Sequence, residues 1–141
     1  MTYLLDTCLI SELVAKRPNQ QVVDWLDAQP PEILYLSVIT IGEIAKGINK
    51  LTASQRKDSL TIWLNETLPT RFGGRILGID ITTMLLWGEL VGRLEPQGRI
   101  LPVMDSLIAA IALQHSLHLV TRNENDFAGT GVVIINPWSA V

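Results

Sequence analysis

Short apolar runs alternate with amphipathic stretches along the whole chain, and this alternation constrains the fold more than any other feature of the sequence. One run, at residues 3–5, stops at Asp6, and similar short runs recur further along the chain. Between them lie stretches with apolar residues at helical spacing, such as Leu86, Leu90 and Leu94. Strands that alternate with helices in this way predict an α/β fold with a mostly parallel central sheet.

The same pattern predicts where the individual elements lie. Strands are expected at residues 3–5, 33–36, 75–79, 118–121 and 132–135. Helices are expected at 9–15, 20–28, 53–68 and 82–94, with a third helix that opens at Ser37 or Thr40. Thr40 and Glu43 have the spacing of a capping box, and Asp105 opens a nearly all-apolar helix that should be buried.

Length and composition point to one folded domain over residues 1–141. Of these residues, 48% are hydrophobic and 18% are charged, which excludes a disordered chain. The single cysteine, Cys8, excludes an internal disulfide and fits a reducing compartment. Neither an apolar run of membrane length nor a zinc-type cluster of cysteine and histidine is present, so we expect a soluble, cytoplasmic protein with no membrane partner.

The net charge of -3 alone argues against a partner made of nucleic acid, because phosphate binding needs lysine and arginine. If four of the 14 acidic residues are gathered in one cluster, however, the 11 basic residues balance the rest of the surface. A divalent cation bound to that cluster would reverse its local charge. The net charge is therefore weak evidence for or against a nucleic-acid partner.

Four carboxylates are the candidate functional residues. Asp6 follows the first strand directly and Asp126 follows the fourth, and ligands of open α/β sheets bind beyond the carboxyl ends of the strands. Asp105 stands at the start of a helix, where the helix dipole favours a negative charge. Glu43 faces away from the apolar stripe of its helix, on the same face as Lys46.

Four converging carboxylates would repel one another unless a cation were present. Mg²⁺ and Mn²⁺ prefer carboxylate and water oxygens, and such a site is suited to hydrolysis of a phosphodiester. Each acid also has a purely structural interpretation. Asp6 and Asp126 fit turn or cap positions, Asp105 fits a helix N-cap, and Glu43 fits the second half of a capping box.

Motifs throughout the chain resemble those of the PIN-domain family, and in particular its VapC-like and FitB-like toxins from bacterial toxin–antitoxin pairs. These motifs occur in the family's order and at its separations. They are LLDT at 4–7, ISE at 10–12, LSVITIGE at 36–43, DSLIAA at 105–110, LVTRN at 119–123, DF at 126–127 and IINP at 134–137.

The resemblance implies a PIN-like three-layer α/β/α sandwich and an endoribonuclease that needs Mg²⁺ or Mn²⁺ and cleaves RNA, often tRNA. By motif match, the acidic quartet that binds metal would be Asp6, Glu43, Asp105 and Asp126. Thr7 and Thr121 would be supporting hydroxyls beside it. The partners implied are a cognate antitoxin, whose C-terminal segment can place a basic side chain in the acidic pocket, a second copy in a homodimer, and operator DNA in a larger assembly.

Cys8 departs from the family pattern, which usually has asparagine and sometimes serine at that position. A thiol is a weak hydrogen-bond donor and acceptor, so it orients Asp6 less firmly than an amide would. Arg122 and Lys46 are the candidate RNA contacts. Lys50, Arg56 and Lys57 lie on or between neighbouring helices and have a solvated face as their structural alternative.

Two other functions remain open from the residues. Asp6 followed by Thr7 superficially allows a phosphatase with an aspartate nucleophile, but that chemistry normally has a second acid where Cys8 stands. The other alternative is a non-catalytic, degenerate PIN module kept for antitoxin or dimer binding, for which Cys8 is the sequence indication.

Overall fold

The central sheet has five strands in the order β3-β2-β1-β4-β5, and all of its ladders are parallel. The computed structural model describes residues 1–139, so positions 140 and 141 of the predicted domain lie outside the described residues. The strands are β1 (Tyr3–Leu5), β2 (Leu34–Ser37), β3 (Ile76–Leu77), β4 (His118–Val120) and β5 (Ile134–Ile135). The predicted α/β class is confirmed.

Helices connect the strands on both faces of the sheet. They are α1 (Thr7–Leu13), α2 (Gln20–Asp27), α3 (Val38–Asn49), α4 (Gln55–Ile62), α5 (Leu68–Arg71), α6 (Ile81–Leu94) and α7 (Val103–Gln114). Short 3-10 turns occupy Pro31–Ile33, Glu95–Gln97 and Glu124–Phe127. No helix among residues 1–139 combines the length and the apolar character that crossing a membrane requires.

Successive side chains of the central strand β1 belong to two different layers of the core. Leu4 of β1 packs into a cluster with α6 and α7, whereas Leu5 packs into a cluster with α1, α2, α3 and α5. Successive side chains of a strand point to opposite faces, so each face of the sheet is covered by helices. The result is the three-layer α/β/α arrangement expected from the resemblance.

The parallel register places the carboxyl ends of β1, β2 and β4 at one edge of the sheet. Tyr3 is in register with Leu34 of β2 and with His118 of β4, and Leu5 is in register with Val120. The ladder between β1 and β4 extends one residue further, since the Asp6 N–H donates to the Val120 carbonyl at 2.9 Å. The residues that follow these strands therefore begin at a common edge.

The start of α3 differs from the predicted capping box. Ser37 is the N-cap, and its hydroxyl accepts the Thr40 N–H at 3.3 Å. Thr40 is itself inside the helix and completely buried. Glu43 is thus beyond the first turn, where no free backbone N–H remains for it to cap, and its carboxylate is available for other contacts.

The predicted helix at 53–68 is interrupted. It consists of α4, a π turn at Trp63–Thr67, and α5. Pro69 is the second residue of α5, and a proline lacks the N–H that a regular helix would need there. A π turn widens the helix by one residue, so it removes the clash between the proline ring and the preceding turn.

Candidate active site

Asp6 lies at the junction between β1 and α1 and is only 5% exposed. Its Oδ1 accepts the Thr7 N–H at 2.8 Å, so it does cap α1, as one structural interpretation proposed. Its Oδ2 accepts the Thr121 hydroxyl, also at 2.8 Å. Burial raises the pKa of Asp6 and the charge of Glu43 raises it further, while the bonds from Thr121 and Thr7 act in the opposite sense.

Glu43 reaches the same edge of the sheet from α3. The Thr7 hydroxyl donates to Glu43 Oε1 at 2.6 Å and lies 3.0 Å from the Thr40 hydroxyl. Because Thr7 has one hydroxyl proton and gives it to Glu43, Thr40 must be the donor in the contact with Thr7. A chain of hydroxyls from α1 and α3 thereby fixes the position of the Glu43 carboxylate.

Asp105 is the third residue of α7, so it is not the N-cap that the sequence allowed; that position is Pro102, which has no side-chain capping bond. Burial raises the pKa of Asp105 to about 6, and the charges of Asp6, Asp126 and Glu43 contribute in that order. None of these influences comes from a cation. All three other acids are thus close enough for their charges to act on Asp105.

Asp126 stands on the 3-10 turn at Glu124–Phe127 and is exposed. The next residue, Phe127, is 1% exposed and packs with α6 and α7, so it anchors the turn to the core. At the start of the loop, the Asn123 N–H donates to the Thr121 hydroxyl at 3.1 Å. Thr121 therefore links the Asp126 loop to Asp6 directly.

Cys8 lies beside Asp6 without being part of a nucleophilic arrangement. Its sulfur is 3.9 Å from Asp6 Oδ2 and 3.7 Å from the Thr121 hydroxyl. Burial raises the pKa of the thiol, and the charge of Asp6 raises it further. The thiol therefore stays protonated at neutral pH and is a weak hydrogen-bond donor to Asp6.

The two predicted RNA contacts have different surroundings. Lys46 lines an open groove of about 290 Å³ that also contains Glu43, Lys50 and Met104. Arg122 follows β4, and its guanidinium lies 5.8 Å from the centre of the Trp138 ring. The groove is continuous with the acidic cluster because Glu43 belongs to both.

The acids are neighbours without forming a closed cage. Within residues 1–139, no three side chains of the histidine, cysteine, aspartate or glutamate type are close enough together to hold one metal ion between them. The charges of the other acids can raise the pKa of Asp105 over distances longer than those that allow the carboxylates to coordinate one ion together. A cation here would be held by one or two carboxylates, with the other positions left to water or substrate.

The family model of the PIN domain matches residues 3–132 of the chain. The chain belongs to the PIN-domain family. The family predicted from the sequence motifs is thereby confirmed, and the five parallel strands described above are the sheet of this PIN domain.

Three curated relatives match nearly the full length of this PIN domain. A plasmid stability protein, StbB, of Pseudomonas syringae pv. tomato is 40% identical and covers 97% of the chain and 99% of its own length. The toxin FitB of Neisseria gonorrhoeae is 36% identical, covering 96% and 97%. The VapC ribonuclease Y4jK of Sinorhizobium fredii is 37% identical, covering 96% of both.

A solved structure matches the PIN domain closely in three dimensions. It is that of FitAB bound to an IR36 DNA fragment, with a TM-score of 0.94 and 34% identity over 99% of this chain and 98% of that one. The similarity covers all the elements on which the four carboxylates stand.

Two contacts of the site have no counterpart in the sequence prediction. Thr40 was predicted only as a capping residue, yet its hydroxyl contacts that of Thr7. Arg99, in the loop before α7, donates to the Asn125 carbonyl at 2.9 Å, next to Asp126. No motif of the sequence identifies Arg99, which lies in the loop between Gln97 and α7.

Proposed function

We propose that this PIN domain is a metal-dependent endoribonuclease and the toxin of a type II toxin–antitoxin pair. The observation that carries the proposal is the electrostatic environment of Asp105, whose pKa is raised to about 6 by burial and by three other carboxylates. Such an arrangement favours a divalent cation, and perturbed acids of this kind are characteristic of functional sites. The ribonuclease and toxin names of the relatives agree with it.

Mg²⁺ or Mn²⁺ fits the donor set, which consists of hard oxygens. Mg²⁺ keeps several waters and usually binds one or two carboxylates, which agrees with the open spacing of the acids. Asp6 and Asp105 are proposed as the direct ligands, with Glu43 and Asp126 acting on the cation through its bound waters. The metal would lower the pKa of a bound water and neutralise charge on the phosphate.

The residues of the chain prepare this site before substrate arrives. Thr121 and the Thr7 N–H hold the buried Asp6 carboxylate in one orientation. The Thr7 hydroxyl, which Thr40 supports, does the same for Glu43. Below about pH 6 Asp105 takes up a proton, which a cation must displace in order to bind, so metal binding should weaken as the pH falls through this value.

RNA would approach along the groove beside α3. Lys46 and Lys50 are exposed and stand one helical turn apart. Gly42 and Gly47 also line the groove, and neither has any atom within 4 Å of the place where a Cβ would lie. The open floor of the groove and the positive charges of Lys46 and Lys50 suit binding of a phosphate backbone. Arg122, which directly follows Thr121, would be a second RNA contact.

The antitoxin would occupy a second groove, of about 250 Å³, between α1, α3 and α4. Its apolar lining suits an amphipathic segment, and Glu43 at its end would pair with a basic side chain of that segment. The apolar residues that line it include Val14, Ala15, Ile44, Leu60 and Trp63. An assembly with antitoxin and operator DNA agrees with the FitAB structure, which contains a DNA fragment.

A homodimer is proposed from the apolar surface at the start of α6. Ile81 is 80% exposed, Leu85 70% and Met84 42%. Large apolar side chains clustered on a surface mark interaction sites. We further propose that residues 1–141 form one PIN domain, since all five strands belong to one sheet.

The test is RNA cleavage by the purified protein with and without Mn²⁺. Asp6→Asn and Asp105→Asn should each abolish cleavage while circular dichroism and the melting temperature show a folded protein. Asp27→Asn changes an exposed acid at the end of α2 and serves as the matched control, with unchanged cleavage expected. Undiminished cleavage by folded Asp6→Asn would contradict the proposal.

The second candidate is the degenerate module, which the weak 3.9 Å contact of Cys8 with Asp6 favours. Calorimetry separates the two functions. A protein that binds the antitoxin but takes up no Mn²⁺ would be the degenerate module. Mn²⁺ binding that Cys8→Asn strengthens would indicate a nuclease in which the Cys8 thiol supports Asp6 less well than an amide does.

A further inference from the structure

We propose that Arg99 is a positioning residue of the active site: its guanidinium holds the turn that carries Asp126, and through it the orientation of the Asp126 carboxylate. The inference rests on the proposed nuclease function. Nothing in the sequence motifs or in the names of the relatives assigns a role to Arg99.

Asp126 depends on such support more than the other acids do. Asp6 and Glu43 accept hydrogen bonds from threonine hydroxyls, and Asp105 stands in a regular helix. Asp126 is exposed and stands on a single 3-10 turn. A rotation of the peptide between Asn125 and Asp126 would be enough to aim the carboxylate elsewhere.

Arg99 acts on that peptide directly. Its Nη2 donates to the Asn125 carbonyl at 2.9 Å. The same carbonyl also accepts the Ala128 N–H, at 3.3 Å. The carbonyl oxygen that immediately precedes Asp126 thus has two donors, one of them charged, and a charged donor gives the stronger bond. The peptide is fixed from both sides of the turn.

The loop also closes tightly over the guanidinium. Gly129 has a φ of +84°, and a Cβ on it would lie 3.3 Å from Arg99 Nε. Arg99 Nε is buried and has no hydrogen-bond partner among the described residues. Burying an unpaired N–H costs free energy, and an apolar side chain would fill this space without that cost, so packing alone does not explain an arginine here. The hydrogen bond to the Asn125 carbonyl does explain it.

The consequence for the site is electrostatic. The charge of Asp126 is one of those that raise the pKa of Asp105. If the turn rotates, that charge moves away, and a metal held between the carboxylates loses one of its anionic neighbours. Loss of Arg99 should therefore weaken metal binding and slow the chemical step, and leave RNA binding along α3 unchanged.

The experiment uses the full chain and five variants: the single variants Arg99→Met, Arg99→Lys and Asp126→Asn, and the double variants Arg99→Met/Asp126→Asn and Arg99→Lys/Asp126→Asn. The control is Arg75→Met. Arg75 is also partly buried and donates to backbone carbonyls, those of Leu34 and Arg71, but it precedes β3 at the opposite edge of the sheet. Mn²⁺ affinity is measured by calorimetry, kcat and KM by cleavage of RNA, and folding by the melting temperature.

Arg99→Met should lose about 10-fold in Mn²⁺ affinity, with a fall in kcat and an unchanged KM, because supporting residues of metal sites have effects of this size. Arg99→Lys should recover part of the loss. In the Asp126→Asn background, Arg99→Met should change neither quantity further, since it acts through Asp126. Arg75→Met should alter only the melting temperature.

The inference is overturned if folded Arg99→Met and Arg99→Lys bind Mn²⁺ as tightly as the unaltered protein, or if Arg99→Met weakens binding equally with and without Asp126. If Arg99→Met does not fold, Arg99→Lys and its double variant with Asp126→Asn decide the question. An unaltered protein that neither binds Mn²⁺ nor cleaves RNA overturns the proposed function, and this inference with it.

Discussion

Asp105 is the residue at which the charges of the other three acids act together. Its pKa is raised from an ordinary 3.8 to about 6, first by burial and then by Asp6, Asp126 and Glu43. A carboxyl with a raised pKa binds its proton more tightly in the folded chain than in the unfolded one. Its stabilising contribution is therefore complete below pH 3.8 and is lost as the pH rises through about 6.

The metal-free protein should accordingly lose part of its stability between about pH 4 and pH 7. Asp80, whose pKa is lowered by the Thr83 N–H, makes the protein more stable as the pH rises. Because Asp80 is present in both proteins, comparing the unaltered protein with Asp105→Asn isolates the effect of Asp105. We expect the melting temperature of the unaltered protein to fall more over this range than that of Asp105→Asn. Mn²⁺ at pH 7 should restore it in the unaltered protein alone. Parallel pH profiles for the two proteins would contradict this account.

At the residue scale, the sequence predicted the four acids and, through the family resemblance, the Thr7 and Thr121 hydroxyls beside them, but it did not predict the contacts of Thr40 and Arg99. The acids follow strands or stand in helices whose positions local patterns indicate. Their supports are long-range: Thr7 and Thr40 are 33 residues apart, and Arg99 and Asn125 are 26 apart. Such contacts arise from tertiary packing, so no local pattern indicates them. The position of Asp105 was hard to predict for a related reason. It is the third residue of α7, and not the N-cap, because the helix begins directly after Pro102.

Among the elements, α3 has two functions on two faces. Ile44 and Ile48 pack into the core, while Lys46 and Lys50 stand on the exposed side. Helical periodicity predicted this division correctly. It did not predict that Ser37 rather than Thr40 caps the helix, because both residues have the right chemistry and only the length of β2 decides between them.

The double variant Lys46→Gln/Lys50→Gln should raise the KM for RNA and leave kcat nearly unchanged, because the lysines hold phosphates away from the reacting bond. The dependence of log binding constant on log salt concentration should become shallower by about 1.4 for two lost phosphate contacts on a single strand. Filter binding over a salt series measures it. Lys16→Gln/Arg17→Gln removes the same charge from the exposed segment after α1, and an equal change in its slope would argue against a defined RNA path.

For the whole molecule, the apolar surface at the start of α6 predicts association. Leu85→Glu should convert the proposed homodimer into monomers, because it places an unpaired charge in the contact, and sedimentation at micromolar concentrations would show it. Ile62→Glu is the matched control: Ile62 is 57% exposed but lies at the end of α4, outside that surface. A monomeric unaltered protein, or equal dissociation by Ile62→Glu, would count against a dimer through α6.

The position of β4 in the sheet determines when during synthesis the protein becomes active. β1 is the first strand to leave the ribosome, but its pairing with β4 and the Thr121 bond to Asp6, 115 residues away in sequence, form only once residues 118–121 have emerged. Parallel pairings over such separations form late in folding. A nascent chain that ends before β4 therefore carries Asp6 without the strand and the hydroxyl that hold it, and its site is not assembled.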